Sequence, residues 1–81
     1  MKIEVVEKIY KILLEIRPEV DFRKSTAFID DDALDSLDII RLVVALDELF
    51  SISIDGSDIV PEYFNTIEGV ADLVVKTIGK N

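Results

Sequence analysis

Residues 35–50 read DSLDIIRLVVALDELF, and this stretch predicts a well-capped helix that runs from Ser36 to about Phe50. Asp35 is a favoured N-cap residue, and Asp38 stands three residues later, where the acidic member of a capping box belongs. Ser36 therefore falls on the first turn. There the free backbone N–H groups and the positive end of the helix dipole favour an attached anion.

This helix carries apolar residues over most of its circumference. One face is assigned to the core and holds Ile39, Leu42, Val43, Leu46 and Phe50. A second strip begins at Ser36 and holds Leu37, Ile40 and Val44, beside Arg41, Asp47 and Glu48. Either the helix is central and buried on two sides, or the second strip is a docking surface with an apolar centre and a charged rim.

Three further helices are predicted. The first carries Val6, Ile9, Leu13 and Ile16 at helical spacing and ends before Pro18, because the residue before a proline disfavours the α region. A short helix begins with Pro61. The last has Asn65 as its N-cap, Glu68 at the matching position and Gly79 as its C-cap. Its apolar stripe is formed by Ile67, Val70, Ala71, Val74 and Ile78.

The connections between these helices contain apolar residues that we expect to pack. The long segment from Arg17 to Leu34 has no clear period, and its packing residues are Phe22, Phe28, Ile29 and Leu34. Residues 50–54 alternate as a strand would, but a single strand has nothing to pair with. We read this stretch as an extended connector that places Ile52 or Ile54 in the core, before a turn at residues 55–57. The sequence thus predicts an all-α fold: a small four-helix bundle, three helices longer and one short, with a long loop between helices 1 and 2.

The amino-acid composition limits the fold class and the catalytic chemistry that the side chains can perform. The 81 residues, 49% hydrophobic and 32% charged, predict a single globular domain over residues 1–81. Because the chain has no cysteine and no histidine, it has no thiol nucleophile, no imidazole base and no zinc-ligand set. A loop that begins at Asp30 does not match the EF-hand pattern. Its sixth position requires glycine and is Asp35, and its twelfth position requires glutamate and is Arg41. We therefore expect no metal site.

The sequence also bears on location. With no apolar run of membrane-spanning length and no signal-peptide core, we expect a cytoplasmic protein.

The charge is concentrated in the middle of the chain. Residues 25–75 hold 12 acidic residues and one basic residue, Arg41, within a chain of net charge −8. Such an anionic region disfavours nucleic acid and anionic membranes as partners. It favours enzymes that present basic patches.

Four segments together resemble the acyl carrier protein family, the phosphopantetheine-bearing carriers of fatty acid, polyketide and nonribosomal peptide synthesis. They are residues 34–38 (LDSLD), 42–50 (LVVALDELF), 52–54 (ISI) and 61–67 (PEYFNTI). The resemblance implies that Ser36 accepts 4′-phosphopantetheine from coenzyme A, by the action of a phosphopantetheinyl transferase. Asp35 and Leu37 would complete the cofactor-binding site. The arm would hold an acyl group as a thioester, and the protein would be a monomeric substrate for other enzymes and not a catalyst.

The resemblance also implies a docking surface for the transferase and for loading and synthase enzymes. Its residues would be Leu37, Asp38, Ile40, Arg41, Val44, Asp47 and Glu48. Two positions depart from the family pattern. Arg41 stands where an acidic residue is common, and Asp32-Ala33 replaces the glycine often found before the motif.

Three alternatives remain open from the sequence. Leu34 and residues 61–67 are similar to aminoacyl carriers, peptidyl or D-alanyl, that adenylating enzymes load, whereas Asp38 and the acidic content are similar to fatty acid carriers. An unmodified carrier-like adaptor is a second alternative, although it would have no need of Ser36. An enzyme that uses Asp35 and Asp38 as paired carboxylates is a third, and 81 residues of helix offer it little enclosed cleft.

Overall fold

A computed structural model describes residues 2–22 and 34–80 of the chain. Its helices are α1 (Lys2–Ile16), α2 (Ser36–Phe50), α3 (Pro61–Phe64) and α4 (Ile67–Lys80), with one turn of 3₁₀ helix at Gly56–Asp58. The described residues contain no β-strand. The predicted all-α bundle of three longer helices and one short helix is therefore confirmed, and residues 23–33 of the long loop predicted between α1 and α2 lie outside the described residues.

Helix α4 is the element on which the others pack, since it contacts α1, α2 and α3. Its buried face meets apolar side chains from each of them. The core is formed by Val5, Ile9 and Leu13 of α1, Leu42 and Leu46 of α2, Phe64 of α3, and Ile67, Val70, Ala71, Leu73 and Val74 of α4. On α2, Ile39, Val43 and Phe50 pack partly buried against this core. The core face assigned to α2 is thereby confirmed.

The connections contribute to the same core. Phe22 and Leu34, near the two ends of the long connection, are both buried, as predicted. Phe28 and Ile29 lie outside the described residues. After α2, both Ile52 and Ile54 are buried, so the extended connector supplies two core residues. The connector begins at Ser51, which ends α2 in the left-handed conformation with φ 54°. The predicted turn that follows is the 3₁₀ turn, which Asp55 caps through the Ser57 N–H.

Two predictions about α4 are wrong. Thr66, and not Asn65, is its N-cap, because Thr66 Oγ1 accepts a hydrogen bond from the Gly69 N–H at 2.9 Å. Asn65 instead ends α3, where its N–H donates to the Pro61 carbonyl oxygen. Gly79 does not end α4, which continues to Lys80.

Candidate functional site

Ser36 is the first residue of α2 and its side chain is exposed. The preceding residue, Asp35, has extended backbone geometry with φ −98° and ψ −179°, so the chain turns sharply into the helix at this point. Within residues 2–22 and 34–80, the Ser36 hydroxyl has no hydrogen-bond partner. The hydroxyl is therefore presented to the surroundings at the positive end of a helix of 15 residues.

A reciprocal capping box fixes the backbone on both sides of this hydroxyl. The Asp38 N–H donates to Asp35 Oδ1 at 2.9 Å, and the Asp35 N–H donates to Asp38 Oδ2 at 3.3 Å. The hydrogen bond from the Asp38 N–H lowers the pKa of the Asp35 carboxyl, and the nearby Arg17 guanidinium lowers it further. The predicted capping box is confirmed, and it leaves Asp35 ionised at neutral pH.

Arg17 joins the end of α1 to the start of α2. Its Nε donates to Asp38 Oδ2 at 2.7 Å, and its Nη2 donates to Asp35 Oδ2 at 3.2 Å. Asp38 is thereby held inward and is only 3% exposed. This contradicts the prediction that Asp38 belongs to the docking surface, because a carboxylate so deeply buried offers a partner almost no area.

The second apolar strip of α2 lies on the surface. Leu37, Ile40 and Val44 are 55%, 57% and 51% exposed. They are therefore not buried against a second layer of the bundle. Arg41 and Glu48 are exposed beside them, as predicted. Leu49 is also about half exposed, and the sequence interpretation did not include it.

Asp47 has a structural task that the sequence did not reveal. Its Oδ1 accepts a hydrogen bond from the Ile54 N–H at 3.0 Å, and its side chain is only partly exposed. The same residue's carbonyl oxygen accepts from the Ile52 N–H at 3.0 Å. The contacts of Asp47 thus hold the connector against the end of α2, and its carboxylate is not a free member of the predicted docking surface.

The geometry fits a phosphate ester on Ser36. The Ser36 hydroxyl is exposed and has no partner among the residues that the structure describes, so a bulky group attached to it needs no rearrangement of the described core. The guanidinium of Arg17 offsets the two carboxylates of the capping box, which would otherwise repel a neighbouring phosphate. These residues therefore suit an arm joined through a phosphodiester.

The described residues contain no group of three or more His, Cys, Asp or Glu side chains placed to hold a metal ion. Asp30 to Asp32, which the sequence brought into question, lie outside them. No described helix is both long enough and apolar enough to cross a membrane.

Comparisons with known proteins agree with this geometry. The family model named "Phosphopantetheine attachment site" matches residues 4–74. The acyl carrier protein of Buchnera aphidicola subsp. Acyrthosiphon pisum (strain APS) is 40% identical over 75 residues, which cover 89% of this chain and 90% of that protein. The acyl carrier protein of Buchnera aphidicola subsp. Schizaphis graminum is 35% identical over 69 residues, or 85% and 84% of the two chains. Acyl carrier protein 2, chloroplastic, of Hordeum vulgare is 34% identical over 98% of this chain and 61% of its own length.

The family model covers most of α1, all of α2 and α3, and α4 as far as residue 74, so it includes Ser36 and every contact of the capping box. Family membership therefore rests on nearly the whole fold and not on a short motif. The chain belongs to the acyl carrier protein family and is an acyl carrier whose cofactor is 4′-phosphopantetheine.

Proposed function

We propose that Ser36 is the residue to which the phosphopantetheine arm is joined. The observation that carries the proposal is the exposed hydroxyl at the first position of α2, which no other described residue contacts by a hydrogen bond and which lies inside the region that the family model matches. When attached, phosphopantetheine supplies the terminal thiol that this cysteine-free chain lacks. The chain's own residues supply the hydroxyl, hold it at a fixed helix end and provide the surface that partner enzymes recognise. In this role the protein is a substrate of enzymes and not an enzyme itself.

Asp35 and Leu37 flank Ser36 in different ways. Asp35 caps α2, and its carboxylate is exposed enough to contribute to recognition by the transferase. Leu37 is the apolar residue nearest the attachment point on the exposed strip, at 55% exposure. An arm on Ser36 would therefore be attached between the charged cap and the apolar strip. An enzyme that binds the arm can contact both of these surfaces.

The exposed strip of α2 is proposed as the docking surface. Its apolar centre is Leu37, Ile40 and Val44, and its charged rim is Arg41 and Glu48. Apolar centres with polar rims are the usual anatomy of protein interfaces. The net charge of −8 favours partners with basic patches, namely the transferase and the enzymes that load or use the arm. Arg41 then requires that the enzymes that load or use the arm accept a cation at one part of their surface, whereas the transferase does not depend on Arg41.

The finer assignments are part of the same proposal. We infer a single carrier domain over residues 1–81 that acts as a monomer in the cytoplasm. For the cargo, the relatives named acyl carrier proteins support an acyl group. We propose that this group serves fatty acid, polyketide or related biosynthesis. Among these roles we favour a dedicated lipid or secondary pathway. An aminoacyl cargo loaded by an adenylating enzyme is the alternative.

The test is the intact mass of the protein after incubation with coenzyme A and a broad-specificity phosphopantetheinyl transferase. We expect the parent to gain one phosphopantetheinyl group and Ser36→Ala to gain none. Ser53→Ala is the matched control, because Ser53 is another exposed serine and lies on the connector outside α2. It should gain one group. No gain in a folded parent would favour the unmodified adaptor.

A further inference from the structure

Arg17 makes the contacts that tie the modification site to the rest of the bundle. It follows α1 directly, and its own N–H donates to the Leu13 carbonyl oxygen at 2.8 Å, so its backbone continues the helical hydrogen bonding. From this fixed base the guanidinium reaches Asp38 at 2.7 Å and Asp35 at 3.2 Å. A third carboxylate, that of Glu19, lies at 3.5 Å. One side chain thus connects the end of α1 to both acidic members of the capping box.

Because Asp38 is buried, its ion pair with Arg17 is important for stability. Its side chain is 4% exposed, and besides Arg17 it accepts only a long hydrogen bond from the Asp35 N–H, at 3.3 Å, among the residues described. A buried carboxylate without a close partner is strongly unfavourable. If Arg17 were removed, the Asp38 side chain would lose its close partner and would turn toward water. The capping box would then be disturbed at the turn that carries Ser36.

The negative charge around Ser36 also indicates a role for Arg17. Asp35 and Asp38 place two carboxylates on the first turn of α2, and a phosphodiester on Ser36 would add a third anion. In residues 2–22 and 34–80, Arg17 is the one cation in contact with either carboxylate. The guanidinium of Arg17 carries several N–H donors in a rigid planar arrangement, so it can neutralise and orient both carboxylates at once. A lysine ammonium does this less well.

We propose that Arg17 is a positioning residue for phosphopantetheinylation of Ser36. This inference rests on the proposed function of Ser36. In the transfer, Ser36 Oγ forms a bond to the phosphorus that carries pantetheine, the bond from that phosphorus to the adenosine bisphosphate leaving group breaks, and the hydroxyl proton passes to a base of the transferase. Arg17 acts on this step through Asp35 and Asp38. It holds the first turn of α2 in one conformation and offsets the negative charge that the phosphodiester would meet.

The experiment compares Arg17→Met with Arg17→Lys and with Lys11→Met, using coenzyme A and a broad-specificity transferase. Lys11→Met is the matched control, since Lys11 is an exposed cation of α1 and is not among the groups that contact Asp35 or Asp38. For Arg17→Met we expect kcat to fall about tenfold with KM for the carrier little changed. This result is expected when the Ser36 hydroxyl is less well oriented but the carrier still binds the transferase. Arg17→Lys should be intermediate. The Lys11→Met rate should match the parent.

A second substitution tests the route of the effect. Asp38→Asn removes the buried charge that Arg17 offsets, while its amide oxygen can still accept the Asp35 N–H. In the Arg17→Met background it should restore most of the lost rate when every variant is assayed well below its melting temperature, where a loss of stability does not change the folded fraction. Circular dichroism and the melting temperature of every variant show that the proteins compared are folded.

The outcomes separate this inference from the proposed function. No mass gain in the parent, or a gain in Ser36→Ala, refutes the assignment of Ser36 itself. Normal loading of the parent with equal rates for Arg17→Met and Lys11→Met overturns the role of Arg17 alone. So does a loss of rate that Asp38→Asn fails to restore, or the failure of every Arg17 variant to fold, because Arg17 would then serve the bundle as a whole.

Discussion

Substituting Gly69 with alanine should destabilise the protein, although alanine is the better helix former. Gly69 lies in the first turn of α4, where the helix crosses α3. A Cβ at this position would lie 2.6 Å from the Tyr63 carbonyl oxygen, 3.1 Å from Thr66 Oγ1 and 3.2 Å from the Glu62 carbonyl oxygen. Two of these atoms belong to the backbone of α3, so they can give way only if α3 moves. The third is the capping oxygen of α4.

The expected size follows from two opposing terms. Overpacking of a well-packed site costs about 1–3 kcal/mol, and alanine gains about 1 kcal/mol over glycine in a helix interior. Because the 2.6 Å contact is with backbone, we expect the upper part of the first range and a net loss of about 1–2 kcal/mol. At about 4–8 °C per kcal/mol for a domain of this size, the melting temperature should fall by roughly 5–15 °C.

Gly79→Ala is the matched control. It is the same substitution in the same helix, but a Cβ at Gly79 would meet no atom within 4 Å. It should be neutral or raise stability by about 0.5 kcal/mol, less than in a helix interior because the helix ends nearby. Thermal unfolding followed by far-UV circular dichroism measures both variants. A Gly69→Ala protein that melts at or above the temperature of the parent would refute the described packing of α3 on α4.

Three further predictions concern charged residues of the site. Because the folded-state pKa of Asp35 is lowered, its stabilising contribution is present above the ordinary aspartate value of about 3.9 and is lost as pH falls through the lowered value. In urea unfolding, the advantage of the parent over Asp35→Asn should therefore be full at neutral pH and shrink in strong acid, and a difference that grows in acid would contradict this. Asp47→Ala should cost about 1 kcal/mol in urea unfolding, since it leaves the Ile54 N–H without its acceptor, and Asp47→Asn, which keeps an acceptor, should cost less. Equal losses would show that the hydrogen bond is not the cause. Arg41→Glu should change which partner enzymes accept the carrier while transfer to Ser36 proceeds at the parental rate, and loss of that transfer would instead place Arg41 in the transferase site.

Local signals in the sequence were sufficient for the main helices. Asp35 and Asp38 mark the start of α2 because both partners of a capping box lie within one turn, and the observed helix has the predicted bounds, Ser36–Phe50. Pro18 and Pro61 mark an end and a start by restricting backbone angles. The apolar stripes also identified most of the core, because helical periodicity reports which face is buried.

What the sequence did not reveal depends on contacts between distant residues or on choices between similar neighbours. The Arg17–Asp38 ion pair joins residues 21 positions apart, and no periodicity predicts it. Asp38 and Asp47 lie on a helix that is apolar on most sides, so their directions were ambiguous until the packing of α1 and the connector was known. Asn65 and Thr66 are both good capping residues, and the end of α3 decided between them.

The most direct test of the central claim is the position of the attached group in the loaded parent protein. Trypsin cleavage after Lys24 and Arg41 releases residues 25–41, in which Ser25, Thr26 and Ser36 are the hydroxyl-bearing residues. Fragment-ion mass spectrometry of this peptide should place one phosphopantetheinyl group on Ser36, with Ser25 and Thr26 unmodified. A group on Ser25 or Thr26, or an unmodified peptide from a chain that has gained the mass, would contradict the assignment of Ser36.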